Sequence, residues 1–162
     1  MIRKAKPRRM VRRQALRAEL EKAAAGLLFT SESDYPFRFF TLPAVSDTAK
    51  AAPTAIELLG SFGLSQELMD ELKVPMDTVI EERTFAGFFP SLDDLARMNG
   101  TNRDDPATVL ESKRWRKLES VLHRRLHHVT VFRVGRVEIR CYIAGRDENG
   151  DLAGLVTTAV ET

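Results

Sequence analysis

The sequence predicts an α/β domain in which a sheet carries helices on both faces. Three observations support this. Leu16, Leu20, Ala23 and Leu27 recur at helical spacing near the start, and the longest helical pattern follows Asp105-Pro106. The last third of the chain reads as three β runs joined at Gly135-Arg136 and Asn149-Gly150. The resulting order is helix, strand, helices, strand, helices, then three antiparallel strands.

The first helix starts near Arg9 and ends at Gly26, a residue suited to the left-handed position past a helix C-terminus. PFRFFTL then alternates Phe37, Phe39 and Thr41 against Arg38 and Phe40, a strand with Pro36 at its start where a missing N–H does least harm. Residues 44–53 read as a linker. Pro53 opens a short helix through Leu59 that Gly60 closes, and Ser65 caps another over Gln66–Leu72. Thr78–Arg83 is a β-branched, partly charged strand at a sheet edge. Ser91 caps SLDDLARM, with Asp93 and Asp94 in the first turn where the helix dipole favours acids, and Asn99-Gly100 ends it. Pro106 sits at the first position of the longest helix, whose core face is Val109, Trp115, Leu118, Leu122 and Leu126. Its tryptophan is read as packing. VTVFRV, VEIRCYIAG and LAGLVTTAV are the closing strands, the last two joined by DENGD.

At 162 residues, 43% hydrophobic and 30% charged, the chain fits a globular protein with room for a core, not a disordered or membrane-embedded one. No run approaches the ~18 apolar residues of a membrane span, and the basic N-terminus lacks an export-signal core. One cysteine, Cys141, excludes an intrachain disulfide. The expected location is cytoplasmic.

The net charge of +2 hides an asymmetry. Residues 1–20 hold eight Lys/Arg against the single acid Glu19, a local charge of +7 that leaves −5 for the rest. A flexible basic arm over 1–8 on a single domain over 9–162 follows. Residues 3–17 either contact phosphates by counterion release or form a solvated tail. No aromatic is interleaved among them to stack bases.

Enzyme chemistry finds no support. His123 and His127 are i, i+4 with His128 next, but Arg124 stands where a zinc-protease helix needs glutamate, and Arg125 follows. Histidines at a helix C-terminus also suit its dipole. There is no glycine-rich phosphate loop and no GxSxG elbow. Cys141 lies mid-strand, where a buried thiol is usual, and adjacent Asp93 and Asp94 do not face each other on a helix. No cofactor is expected.

Two unabsorbed features remain. In LLFTSESDYPFRFF, Leu27–Phe40, an acidic corner interrupts two apolar runs; Ser31, Ser33 or Asp34 can fix the turn and leave Glu32 projecting. At the other end, AVET places Glu161 beside Thr162, whose α-carboxylate is a hard oxygen ligand.

The segments GLLFTSESDYPFRFF (Gly26–Phe40) and VFRVGRVEIRCYIAGRDENGDLAGLVTTAVET (Val131–Thr162) resemble the nuclease A inhibitor family. The resemblance is loose between Leu42 and Asn102. It implies a three-layer α/β/α sandwich with a central mixed, largely antiparallel sheet, similar to the pathogenesis-related-protein fold. It also implies a non-catalytic inhibitor that occludes the active site of a sugar-non-specific ββα-metal endonuclease, as a monomer binding 1:1. By motif match, Glu32 faces an arginine of the nuclease and Thr162 reaches its catalytic Mg²⁺, so the metal belongs to the partner. Ser33, Asp34 and Glu161 complete the expected contact set. The alternative is a nucleic-acid-binding module using residues 3–17. In the family's characterised member, a tryptophan in the loop before the longest helix adds an anchor. Here that loop reads Thr101-Asn102-Arg103-Asp104, and Trp115 lies inside the helix.

Overall fold

A computed structural model describes residues 8–43, 51–54, 57–58 and 80–162. The elements are α1 (Arg8–Ala24), β1 (Leu28–Thr30), β2 (Asp34–Pro36), β3 (Arg38–Leu42), β4 (Ile80–Thr84), α2 (Leu92–Asn99), α3 (Pro106–Arg125), β5 (His127–Val134), β6 (Glu138–Arg146) and β7 (Leu152–Val160). Residues 1–7, the linker over 44–50 and the helix expected over Gln66–Leu72 lie outside the described residues.

Local chemistry accounts for the helix ends. Ser91 accepts the Asp94 N–H at 3.1 Å, and the Asp94 carboxylate takes the Ser91 N–H at 3.0 Å, a reciprocal cap that fixes the start of α2. Gly100, at φ +64°, ends it in the left-handed region. Asp105 caps α3 through the Thr108 N–H at 3.0 Å, with Pro106 at the first position as expected. Thr54, rather than Pro53, caps the turn holding Glu57 and Leu58, since its hydroxyl accepts the Glu57 N–H at 3.1 Å.

Among the described residues, five strands form one sheet in the order β3-β7-β6-β5-β4, and every pairing in it is antiparallel. The expected mixed sheet is corrected on this point: hairpins at Gly135-Arg136 and Asn149-Gly150 join β5, β6 and β7, and a tight turn can only join antiparallel neighbours. Among the described residues β4 lies at the sheet edge, as its composition suggests. A separate ribbon pairs β1 with β2, Phe29 opposite Tyr35. Pro36 therefore closes β2 instead of opening β3.

Strand alternation sends side chains to the two faces of the sheet. Val131, Ile143, Ala153 and Leu155 meet Leu16 and Leu20 of α1, Leu95 of α2, and Trp115, Leu118 and Leu122 of α3 on one face. Phe132, Tyr142, Leu152 and Val156 gather on the other around Leu58, with Phe40 and Leu42 against them. Each fully buried large apolar side chain contributes roughly 1.5–3 kcal/mol. Phe39 and Phe40 face opposite clusters, as the alternation predicts. Gly154 stands opposite Ala144 in the β6–β7 pairing, and a Cβ there would sit 1.8 Å from the Ile143 carbonyl oxygen.

Trp115 is buried to 1% exposure and meets Phe37 edge-on at 5.7 Å, so it packs the core as read from the sequence. Val109 is only half-buried, and Thr108 takes the buried place in that first turn. Thr108 shares hydroxyl bonds with Asp105 and Thr101, which satisfy it there.

Candidate functional site

The site is the corner between β1 and β2 where it meets the end of β7. Phe29 stacks on Phe88 at 4.9 Å and anchors β1, while the Thr157 hydroxyl donates to the Pro36 carbonyl at 3.0 Å and holds β2 to β7. Between these anchors, Ser31, Glu32 and Ser33 make a three-residue loop, with Thr30 opposite Asp34.

Ser31 organises the loop. Its hydroxyl donates to the Ser33 carbonyl at 3.0 Å and accepts the Val160 N–H at 2.9 Å. The Glu32 N–H in turn donates to the Val160 carbonyl at 3.1 Å. The corner is therefore bonded to the last strand residue on both backbone groups. Beyond Val160, the Thr162 N–H and hydroxyl both donate to Oε1 of Glu32, at 3.0 and 2.7 Å. These two donors, the backbone N–H first, hold the Glu32 carboxyl below its ordinary value, so it stays ionised further into acid. Two residues 130 positions apart thus share one oxygen, and both are exposed.

The other expected contact residues are placed differently. Ser33 and Asp34 are exposed beside Glu32, Ser33 using its carbonyl on Ser31. Glu161 points the other way, as strand alternation requires. Its N–H donates to the Val137 carbonyl at 2.9 Å, and its carboxylate pairs with Arg133 in a shallow groove shared with Glu81, Arg83 and Arg136. The structure brings Glu32 and Thr162 together and separates Glu161 from them.

The remaining candidates fall into structural roles. His123 lies parallel to the Phe85 ring at 6.4 Å. His127 and His128 line a cleft of about 350 Å³ beside Asp147 and Glu148, yet among the described residues no three His, Cys, Asp or Glu side chains are grouped to hold a metal. Burial pushes the Cys141 thiol up to about 11, which keeps it protonated. Within the basic N-terminal stretch, Arg13 pairs with Asp151 at 3.1 Å, Arg17 with Glu21 at 2.9 Å and Arg12 with Glu148 at 3.6 Å. These three arginines serve intramolecular contacts. Arg3, Lys4 and Lys6 lie outside the described residues.

In the sequence Ser31 reads only as a turn former, and nothing singles out Arg133. Their tertiary partners, Val160 and Glu161, lie 129 and 28 positions away, and no local pattern encodes such pairings. Residues 14–162 match a family model described as nuclease A inhibitor-like protein. No curated protein matches the chain.

Proposed function

We propose that this chain, which belongs to the nuclease A inhibitor-like family, plugs the active site of a sugar-non-specific, metal-dependent endonuclease and performs no chemistry itself. The observation that carries the reading is the pair of hydrogen bonds from Thr162 to the Glu32 carboxylate. They join the two residues that the family resemblance names as the nuclease contacts.

The chemistry of the corner suits that task. A nuclease cleft is built to hold phosphate, and an exposed carboxylate kept ionised by its own hydrogen bonds imitates one phosphate oxygen pair. Oε2 of Glu32 accepts no hydrogen bond among the described residues, which leaves it for one arm of a partner arginine in a charge-assisted pair. Thr162, held alongside, offers its carboxylate to the partner's Mg²⁺ directly or through water. Ser33 and Asp34 form the rim. Glu161, tied to Arg133, orients the strand end rather than touching the metal. The net −5 of residues 21–162 steers association with a basic enzyme.

The wider reading is a cytoplasmic monomer acting 1:1, either on the cell's own enzyme or as immunity against an incoming toxin. Leu58, fully buried on the second face of the sheet, supports a three-layer sandwich similar to the pathogenesis-related-protein fold.

The test is inhibition of a ββα-metal endonuclease by purified variants. Glu32→Ala and removal of Thr162 should each weaken Kd roughly 30-fold or more, mostly through faster dissociation. Because the two residues touch, the double variant should lose less than the sum. Wild-type inhibition that both changes leave untouched would refute the assignment.

A further inference from the structure

The strongest charge feature of the molecule lies outside the proposed nuclease contact. α1 carries six cationic residues against two acids, and α3 also carries six against two. The two helices therefore hold a net charge of +8 in a chain whose total is +2, leaving −6 for everything else. The sequence places this excess at the N-terminus, but half of it belongs to α3 and becomes visible only when the helices pack together.

Where they pack, a groove of about 530 Å³ opens between them, lined by Lys22 of α1 and by Arg114, Lys117 and Arg124 of α3. Val121 forms part of its wall, and Glu19 is the one acid, engaged by both Arg124 and Arg125. Arg114 donates to the Ala25 carbonyl at the end of α1, which orients its guanidinium and leaves its charge in place. Lys22 and Lys117 are exposed and have no ion-pair partner among the described residues. Arg114, Lys117, Val121 and Arg124 stand at i, i+3, i+7 and i+10, one stripe along the helix. Ten residues of helix span about 15 Å, an axial length of duplex that holds roughly four phosphates of one strand at about 3.4 Å of axis each.

We propose that the groove between α1 and α3 binds the phosphodiester backbone of nucleic acid, through Lys22, Arg114, Lys117 and Arg124. No aromatic side chain lines the groove, so binding is read as backbone contact without base stacking and without sequence preference. The surface shares no residue with the Glu32 corner. A chain so equipped holds to the polymer its target enzyme degrades, whatever residues 1–7 contribute.

Fluorescence anisotropy with a labelled 20-base-pair duplex of arbitrary sequence tests this on the full chain. Binding should appear with a Kd of roughly 10⁻⁶–10⁻⁴ M, and log K should fall against log salt with a slope of about −3 to −4. Lys22→Gln with Lys117→Gln should flatten that slope by about two and weaken binding at least about tenfold at low salt. Both lysines are exposed and have no ion-pair partner among the described residues, so the melting temperature should hold. Deleting residues 1–7 should leave most of the slope. Three results would overturn the proposal: no binding at 50 mM salt, a slope that the lysine substitutions leave unchanged, or binding that disappears with residues 1–7 alone. Equal competition by polyglutamate of matched charge would assign the groove to an acidic protein and overturn it too. Nuclease inhibition, measured in parallel, reports on Glu32 and Thr162 and is expected to survive the lysine substitutions.

Discussion

β6 and β7 run side by side through the centre of the sheet, and their two ends use polar groups in opposite ways. At the hairpin end, charge is buried. Arg146, 2% exposed, holds Glu57 through two bonds of 2.5 and 2.6 Å and donates to the Ala51 and Gly150 carbonyls. Asp151, 1% exposed, pairs with Arg13, and Asp147 accepts the Asn149 and Asp151 N–H groups. At the other end, Glu32, Glu161 and Thr162 are exposed, and their hydrogen bonds orient groups that water still reaches. A buried charge that loses its partner is stranded in a medium that cannot solvate it. An exposed one is simply rehydrated. The hairpin end therefore depends on its buried partners, while the corner keeps its polar groups within reach of water.

The largest expected effect comes from breaking the hairpin end. Arg146→Ala leaves the Glu57 carboxylate buried without its guanidinium and should cost about 3–5 kcal/mol in urea denaturation, a large share of a typical domain's stability. Replacing both partners by apolar residues of similar size, Arg146→Met with Glu57→Leu, should recover most of that loss, because no charge is then stranded. A single-variant loss under about 1 kcal/mol would show that the pair is more hydrated than its burial indicates.

A smaller effect follows at the corner. Ser31→Ala removes the acceptor for the Val160 N–H and one internal turn bond, worth about 0.5–1.5 kcal/mol. The better readout is local: amide hydrogen exchange at Glu32, Val160 and Thr162 should accelerate while the sheet centre keeps its protection. Ser31→Thr, which retains the hydroxyl, should restore it. Unchanged exchange in Ser31→Ala would mean that the corner is held by the ribbon alone.

How legible each end was in the sequence follows the range of its interactions. Ser91 with Asp94, Asp105 before Pro106, and Asn149-Gly150 act over two to four residues, and all three elements stand where the sequence puts them. The β1–β2 ribbon was not visible, because three-residue strands are too short to show alternation and Pro36 reads as a strand start. The Arg146–Glu57 pair spans 89 positions, and an arginine in a strand reads by default as a solvent-facing residue. The meeting of Glu32 and Thr162 was anticipated through family resemblance and not through spacing. The cationic groove escaped because α3 disperses its charges among acids and apolar residues along the chain, and only the fold sorts them onto one side.

The smallest effect separates the two ends most cleanly, because their carboxylates respond to acid with opposite sign. Glu32 is held below the ordinary 4.5 by the Thr162 donors, so its contribution to stability is present above that value and is lost as pH falls through the lowered one. Asp147 is pushed above the ordinary 3.8, first by burial, with backbone donors from Asn149 and Asp151 and the Arg13 charge opposing and the Asp151 charge reinforcing. Its contribution is full below 3.8 and is lost as pH rises through the raised value. Stability measured against pH across the carboxylate range should therefore rise less steeply in Glu32→Gln and more steeply in Asp147→Asn than in the wild type. Carbon-13 titration of the two carboxyl groups should place Glu32 below an ordinary glutamate and Asp147 above an ordinary aspartate. If both variants tilt the profile the same way, the exposed corner and the buried hairpin are not the electrostatic opposites that their geometry describes.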